Sequence, residues 1–296
     1  MTLKADYIGR FAPSPSGPLH FGSLVAALAS YLDARSRGGQ WLLRMEDLDP
    51  ARESPEAADD IRATLDRFSL YWDGSVLYQS ERLDAYANVL QSLRDRDLVY
   101  ACDCSRTQIN EIGGVYDNRC RYRSETTQPN ALRVKVADEI IRFEDTIQGP
   151  QQQELLRECG DFVLLRKDGL FAYQLAVVVD DAFQNITDIV RGYDLLDSTP
   201  RQIYLQRLLG FPPPHYAHIP VAVNELGQKL SKQHFAAPIN PESPGKQILA
   251  ALRFLGMQPP ADLGNAPPGT LLPWAIEHWD IQAVPKLANI PLEQFS

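Results

Sequence analysis

The sequence predicts an α/β protein: a Rossmann-type, doubly wound parallel sheet with an inserted zinc-bearing subdomain and a short helical C-terminal region. Three observations carry that prediction. Residues 7–45 place one stretch with helical apolar spacing between two short apolar runs, the pattern of a βαβ unit. From about residue 102 to 168 the texture changes to short β-like runs, and all four cysteines lie in this stretch. Parallel-sheet texture then returns, followed by a proline-rich tail.

The first half of the core spans 1–101. YIGRF and WLLRM read as strands and FGSLVAALASYLDAR as the helix between them. Leu24, Leu28 and Leu32 share one face that Val25 and Ala29 widen, and Gly38 and Gly39 end the helix. Residues 55–69 (Ile61, Leu65, Phe68) and 80–97 (Leu83, Tyr86, Leu90, Leu93) read as amphipathic helices. The insertion covers 102–168, with ALRVKV and IIRFED as strands. The second half of the core covers 169–235: FAYQLAVVVDD and ITDIVRG read as sheet, and TPRQIYLQRLLG as a helix with Pro200 at its first position and Gly210 after its last. The tail, 236–296, holds helices near 246–255 and 274–279 and is too short for a second large core.

A chain of 296 residues and 33.2 kDa, with 44% apolar and 23% charged residues, buries an ordinary core and is not disordered, collagenous or coiled-coil. Lys and Arg total 29 against 38 Asp and Glu, and a net charge of −9 excludes a surface that coats nucleic acid everywhere. Any RNA contact has to be a local basic patch. The N-terminal MTLKADYIGR lacks a signal-peptide core, and no run reaches the ~18 apolar residues of a membrane span, so a cytoplasmic protein is expected.

The segment from Arg10 to Ser23, RFAPSPSGPLHFGS, joins the first strand to the first helix. Ligands of doubly wound sheets bind at the carboxyl ends of strands, where a helix N-terminus offers N–H groups to phosphate. Gly17 and Gly22 allow close backbone approach, and His20 adds a donor. The same residues also fit an ordinary turn with a surface histidine. Far along the chain, GQKLSKQ (227–233) puts two of only seven lysines three apart on a polar loop. That suits a phosphate clamp; alone, it suits a solvated loop as well.

Together these segments resemble the HIGH-like and KMSKS-like signatures of class I aminoacyl-tRNA synthetases. RFAPSPSGPLHFGSL, LLRMEDLDPAR and VVVDDAFQNITDIVRGYDLLDSTPRQIYL are similar to stretches of glutamyl-tRNA synthetases in the same order, covering about Tyr7 to Gln233. The signatures depart from the pattern in reading His-Phe-Gly-Ser, without the second His, and Lys-Leu-Ser-Lys-Gln. The residues after Gln233 leave no room for a large helical anticodon-binding domain, which makes the chain similar to the truncated branch of the family that attaches glutamate to queuosine, the wobble base of tRNA(Asp). The resemblance implies a monomeric ligase acting on L-glutamate, ATP with Mg²⁺, and the anticodon stem-loop of tRNA(Asp), with activation independent of tRNA. The alternatives are a truncated glutamyl-tRNA synthetase charging the 3′ end of tRNA(Glu), or a non-catalytic RNA-binding relic.

Glutamate carries two carboxylates and an ammonium, so its pocket needs two separated cations and one anion. Arg10, Arg191 and Glu46 supply that set, and an Arg fork holds carboxylate bidentately. The resemblance assigns the side-chain carboxylate to Arg10, the ammonium to Glu46 and the α-carboxylate to Arg191. Tyr173 hydrogen-bonds nearby, and Ala12 and Ser14 line the same wall. It assigns ATP to His20, Gly22, Lys229, Ser231 and Lys232, with His20 and Lys232 as the catalytic groups. Without the resemblance, Glu46 reads as an exposed carboxylate paired with Arg44 or Arg52, Tyr173 as a half-buried strand residue, and Arg191 as a surface ion pair. Val177 stands where glutamyl-tRNA synthetases often carry a polar residue. RNA contacts are expected from arginines in 119–123 and around Arg201 and Arg207.

Cys102, Cys104 and Cys120 offer three thiolates close in sequence, with Gly113 and Gly114 letting the chain double back, which suits one structural tetrahedral Zn²⁺. The resemblance makes the Tyr116 phenolate the fourth ligand; Asp103, Asp117 or water are the other choices. Cys159 stands apart and reads as a buried apolar thiol.

Overall fold

The computed structural model describes residues 7–123, 129–224 and 238–292. In chain order its elements are β1 (Ile8–Phe11), α1 (Phe21–Ser36), β2 (Gln40–Met45), α2 (Pro55–Arg67), β3 (Leu77–Tyr78), α3 (Leu83–Asp95) and β4 (Val99–Cys102). There follow α4 (Arg106–Glu111), β5 (Ala131–Val134), β6 (Ile140–Asp145), β7 (Gly149–Glu154), α5 (Leu155–Glu158) and β8 (Val163–Leu165). The chain then forms α6 (Tyr173–Phe183), β9 (Asp188–Gly192), α7 (Thr199–Leu209), β10 (His215–Ile219), β11 (Val221–Val223), α8 (Pro244–Phe254), α9 (Pro268–Glu277) and β12 (Asn289–Pro291).

The expected βαβ unit is present: β1 and β2 pair in parallel, Ile8 opposite Gln40 through Phe11 opposite Leu43. Leu24, Leu28 and Leu32 on α1 are fully buried, and truncating one of them to Ala would cost about 2–5 kcal/mol. The helix ends where predicted, and Gly39 is required there because a Cβ would lie 2.5 Å from the Tyr7 carbonyl oxygen.

Two parallel half-sheets meet edge to edge. One runs β3-β2-β1; the other runs β9-β10-β6, with β7 antiparallel at its far edge. At the seam, Thr187 N donates to the Ile8 carbonyl at 2.9 Å and Ile8 N donates to Thr187 Oγ1 at 2.9 Å. Strand order therefore reverses between β1 and β9, the switch point at which doubly wound sheets take their ligands. One apolar core packs α1 and α2 with the tail helices α8 and α9; a second packs α3, α6 and α7. The tail thus extends an existing core. The 102–168 stretch feeds two sheets, since β5 and β8 pair with β4 while β6 pairs with β10.

The sequence expectation fails at one element. FAYQLAVVVDD is not a strand; from Tyr173 it is the helix α6, buried from Gln174 to Asp181. A continuously apolar run carries no period to separate a buried helix from a buried strand. Its eleven residues exceed an ordinary strand of ~5–6, and that length was the usable signal.

Candidate active site

The carboxyl ends of β1, β2 and β9 and the N-termini of α1 and α6 gather the expected amino-acid-binding residues. Arg10 lies on β1 and is 4% exposed, with its Nε donating to Asp181 Oδ1 at 3.2 Å. The same oxygen accepts from Arg44 Nη1 at 2.8 Å, and Arg44 Nη2 reaches Glu46 Oε1 at 3.3 Å. Burial pushes the Asp181 carboxyl up, but the Arg10 and Arg44 guanidiniums outweigh it and hold the group below its ordinary range. Glu46 follows β2, and its backbone N donates to the Pro13 carbonyl at 3.0 Å, which ties the strand end to the Arg10–Ser23 loop. Glu46 is paired with Arg44 but is not exposed: its side chain is 11% accessible, and burial raises its pKa against the pull of Arg44 and Arg10. Ala12 is half-buried and Ser14 exposed on the adjoining loop.

Arg191 lies on β9, and it is buried instead of forming a surface pair. Its Nε meets His218 Nε2 at 2.9 Å, one Nη donates to Thr199 Oγ1 at 2.8 Å, and the other approaches the Tyr173 hydroxyl at 3.4 Å. Tyr173 opens α6 and is not a strand residue. Burial raises its phenol pKa; Arg191 and Arg10 pull it down while Glu46 and Asp181 push it up, so all four charges act on one hydroxyl. Val177 sits one turn further along α6, fully buried. Asp181 and Arg44 thus link Arg10 to Glu46, and Arg191 meets Tyr173 at the facing end of the other half-sheet.

His20 caps α1: Ser23 N donates to its Nδ1 at 3.3 Å. With Nδ1 accepting, the neutral ring carries its proton on Nε2. Gly22 stands in the first turn of the same helix. Lys229, Ser231 and Lys232 lie outside the described residues. The chain just after them is placed, because Pro238 bridges to His20 and Ile239 N donates to the Leu19 carbonyl at 3.0 Å. The segment that follows the lysine loop is thus stitched to the helix terminus that carries the histidine.

The cysteines form a separate cluster. The Sγ atoms of Cys102, Cys104 and Cys120 all lie within 4.8 Å of one another, with Cys104 and Cys120 at 3.5 Å. Zinc–sulfur bonds of ~2.3 Å in a tetrahedron put sulfurs ~3.8 Å apart, so the donor set fits a single ion. Tyr116 is buried beside them; its hydroxyl accepts from Cys120 N at 3.1 Å, and the Arg133 guanidinium lies 3.9 Å from its ring centre. Burial and the neighbouring thiols push Cys104 up to about 12, a direction a bound cation reverses. Gly160 fixes the cluster against the strand layer: it has φ +71°, and a Cβ there would lie 2.1 Å from the Tyr116 carbonyl oxygen. Cys159 packs against the second apolar core but is only half-buried, and it lines a cavity of about 630 Å³ with Tyr116, Arg133 and Arg201, where full burial was expected.

The arginines expected to meet RNA have internal partners: Arg119 pairs with Asp117, Arg121 with Asp161, Arg123 with Asp103 and Arg207 with Glu139. Arg201 donates to Ser198 Oγ and the Asp197 carbonyl. Tyr122 among them is 90% exposed. Sequence reasoning missed Asp181, His218 and Asp145. The available signals were two adjacent aspartates at the end of an apolar run, and the second histidine of the short strand HYAHI.

Residues 8–263 match the family model described as tRNA synthetases class I (E and Q), catalytic domain. The chain is 52% identical over 292 residues to a glutamyl-Q tRNA(Asp) synthetase of Pseudomonas aeruginosa, covering 99% of this chain and 100% of the relative. It is 54% identical over 284 residues to the protein of that name from Ectopseudomonas mendocina, covering 96% and 97%. Among solved structures, it superposes at TM-score 0.81 and 26% identity on a glutamate tRNA ligase from Elizabethkingia meningosepticum in complex with its amino acid, covering 99% of this chain and 67% of that one. Matched along nearly its whole length, with the charged residues of the switch point brought together, the chain belongs to the class I (E and Q) tRNA synthetase family, in the group of the glutamyl-Q tRNA(Asp) synthetases.

Proposed function

We propose that this protein activates L-glutamate with ATP, without tRNA, and transfers the glutamyl group to queuosine at the wobble position of tRNA(Asp). One observation carries the reading: the Arg10–Asp181–Arg44–Glu46 network and the Arg191–Tyr173 pair stand at the β1/β9 switch point, from which the loop after β1 leads to the His20-capped helix α1. Two cations around one anion complement glutamate's two carboxylates and one ammonium. Asp181 takes Arg10 Nε and leaves its outer Nη groups for the side-chain carboxylate; Glu46 takes the ammonium; Arg191 takes the α-carboxylate.

An α-carboxylate oxygen attacks the α-phosphorus of ATP. A P–O bond forms, the bond to pyrophosphate breaks, and glutamyl-adenylate results. The residues position reactants and stabilise charge; no side-chain nucleophile is needed. His20 Nε2–H donates to phosphate oxygens at the α1 N-terminus, with Gly22 permitting close approach. Lys229, Ser231 and Lys232 complete the ATP contacts. Magnesium bound with ATP neutralises phosphate charge. A hydroxyl of the queuosine cyclopentenediol then attacks the acyl carbon and AMP leaves. Zinc held by Cys102, Cys104, Cys120 and Tyr116 is structural, because the cluster is separate from the switch-point residues and the chemistry does not require it.

The test has two arms. Glutamate-dependent ATP–pyrophosphate exchange without tRNA should be present. Labelled glutamate should then appear on queuosine-containing tRNA(Asp) whose 3′ end has been oxidised by periodate. Label on tRNA(Glu) instead, or no exchange, refutes the proposal.

A further inference from the structure

Arg10 and Arg44 are held by a carboxylate, but Arg191 is not: among the described residues no carboxylate forms an ion pair with it. Its Nε is held by an imidazole, His218, that is fully buried. The other ring nitrogen, Nδ1, lies 2.5 Å from Asp145 Oδ2. Asp145 is itself 1% exposed, and its Oδ1 accepts the backbone N–H groups of Ile147, Gln148 and His218 at 3.1, 2.8 and 3.2 Å.

These contacts fix the tautomer. A carboxylate that accepts three backbone N–H groups is ionised and acceptor-only, so Nδ1 is the ring's donor. Arg191 Nε–H is a permanent donor, so Nε2 is an acceptor and carries no proton. The imidazole is neutral, and burial together with Arg191 acts in the same direction, holding its pKa down to about 4 despite Asp145.

We propose that His218 is the positioning residue of Arg191, and that the Asp145–His218 relay aims the guanidinium while keeping any carboxylate out of direct contact with it, so that its charge is offered to the substrate's α-carboxylate. This rests on the reading of Arg191 given above. A carboxylate in direct contact would orient the fork equally well but would cancel much of the charge the substrate needs. A neutral ring in between transmits the geometry of a buried anchor without placing an anion on the guanidinium.

Two substitutions separate this role from mere packing. His218→Asn retains a donor toward Asp145, but with that donor in place its carboxamide oxygen does not reach the Nε2 position; His218→Gln places an acceptor near the Nε2 position. In ATP–pyrophosphate exchange, His218→Asn should raise the glutamate KM at least tenfold, with kcat and the ATP KM within about threefold of wild type, and His218→Gln should recover most of that loss. A wild-type glutamate KM in His218→Asn, or an equal defect in both variants, overturns the proposal. Imidazole ¹⁵N NMR of the wild-type protein tests it without mutation: a neutral Nδ1–H ring at pH 7 is expected, and an imidazolium or an Nε2–H ring overturns it. Absence of glutamate-dependent exchange in wild type would instead refute the functional reading, leaving the NMR outcome to decide the relay.

Discussion

Asp181 Oδ1 receives Arg10 Nε from β1 at 3.2 Å and Arg44 Nη1 from β2 at 2.8 Å, so one carboxylate on a buried helix pins two neighbouring strands. Breaking a buried pair by removing one partner strands the remaining charge, at a cost of about 3–5 kcal/mol. Asp181→Ala should lower stability by that amount in urea unfolding. Where protein remains folded, its glutamate KM should rise at least tenfold while the ATP KM stays near wild type.

Lys232→Ala should slow ATP–pyrophosphate exchange at least a hundredfold with little change in glutamate binding, since losing one contact of this kind raises the barrier by about 3–4 kcal/mol. Near-normal exchange would remove Lys232 from the chemistry.

Protein purified in metal-free buffer should carry one zinc per chain. Cys120→Ala should lose it and unfold at lower temperature, with exchange falling only as far as folded protein is lost. A stoichiometry well below one in the wild type would discard the zinc assignment.

Acid should destabilise this protein through His218. Its folded pKa lies near 4 against 6.5 for the free side chain, so the unfolded chain takes up the proton first. The contribution is fully present above pH 6.5 and is lost as pH falls toward 4, on the order of 3 kcal/mol in all. Urea unfolding from pH 7 to 4.5 should show that slope, and His218→Gln should flatten it.

Tyr122 is 90% exposed among arginines that are already paired internally, which suits a stacking surface for an RNA base better than a cationic patch. Tyr122→Ala should raise the KM for tRNA transfer by about tenfold and leave tRNA-free exchange unchanged. Equal effects on both steps would argue against RNA stacking.

Much of the fold was legible in the sequence, and so were several of the charged residues gathered at the switch point. The βαβ unit showed itself through the Leu24, Leu28, Leu32 stripe, and α7 through Pro200 and Gly210. The three cysteines declared their cluster by spacing. Hidden were the groups that hold those charged residues in place. Asp181 and Asp145 lie 171 and 73 positions from the Arg10 and His218 they contact, and local pattern carries no information about pairing at such separations. The helix α6 was misread for a related reason: burial on every side erases the alternation from which period is judged.

The seam at Ile8 and Thr187 fixes how the two half-sheets that carry Arg10 and Arg191 stand against each other. The two guanidiniums proposed to grasp the ends of glutamate stand on different half-sheets, and the backbone bonds between those halves act as a ruler. On the proposed assignment, the spacing of the two guanidiniums is a property of the sheet and not of the pocket side chains alone.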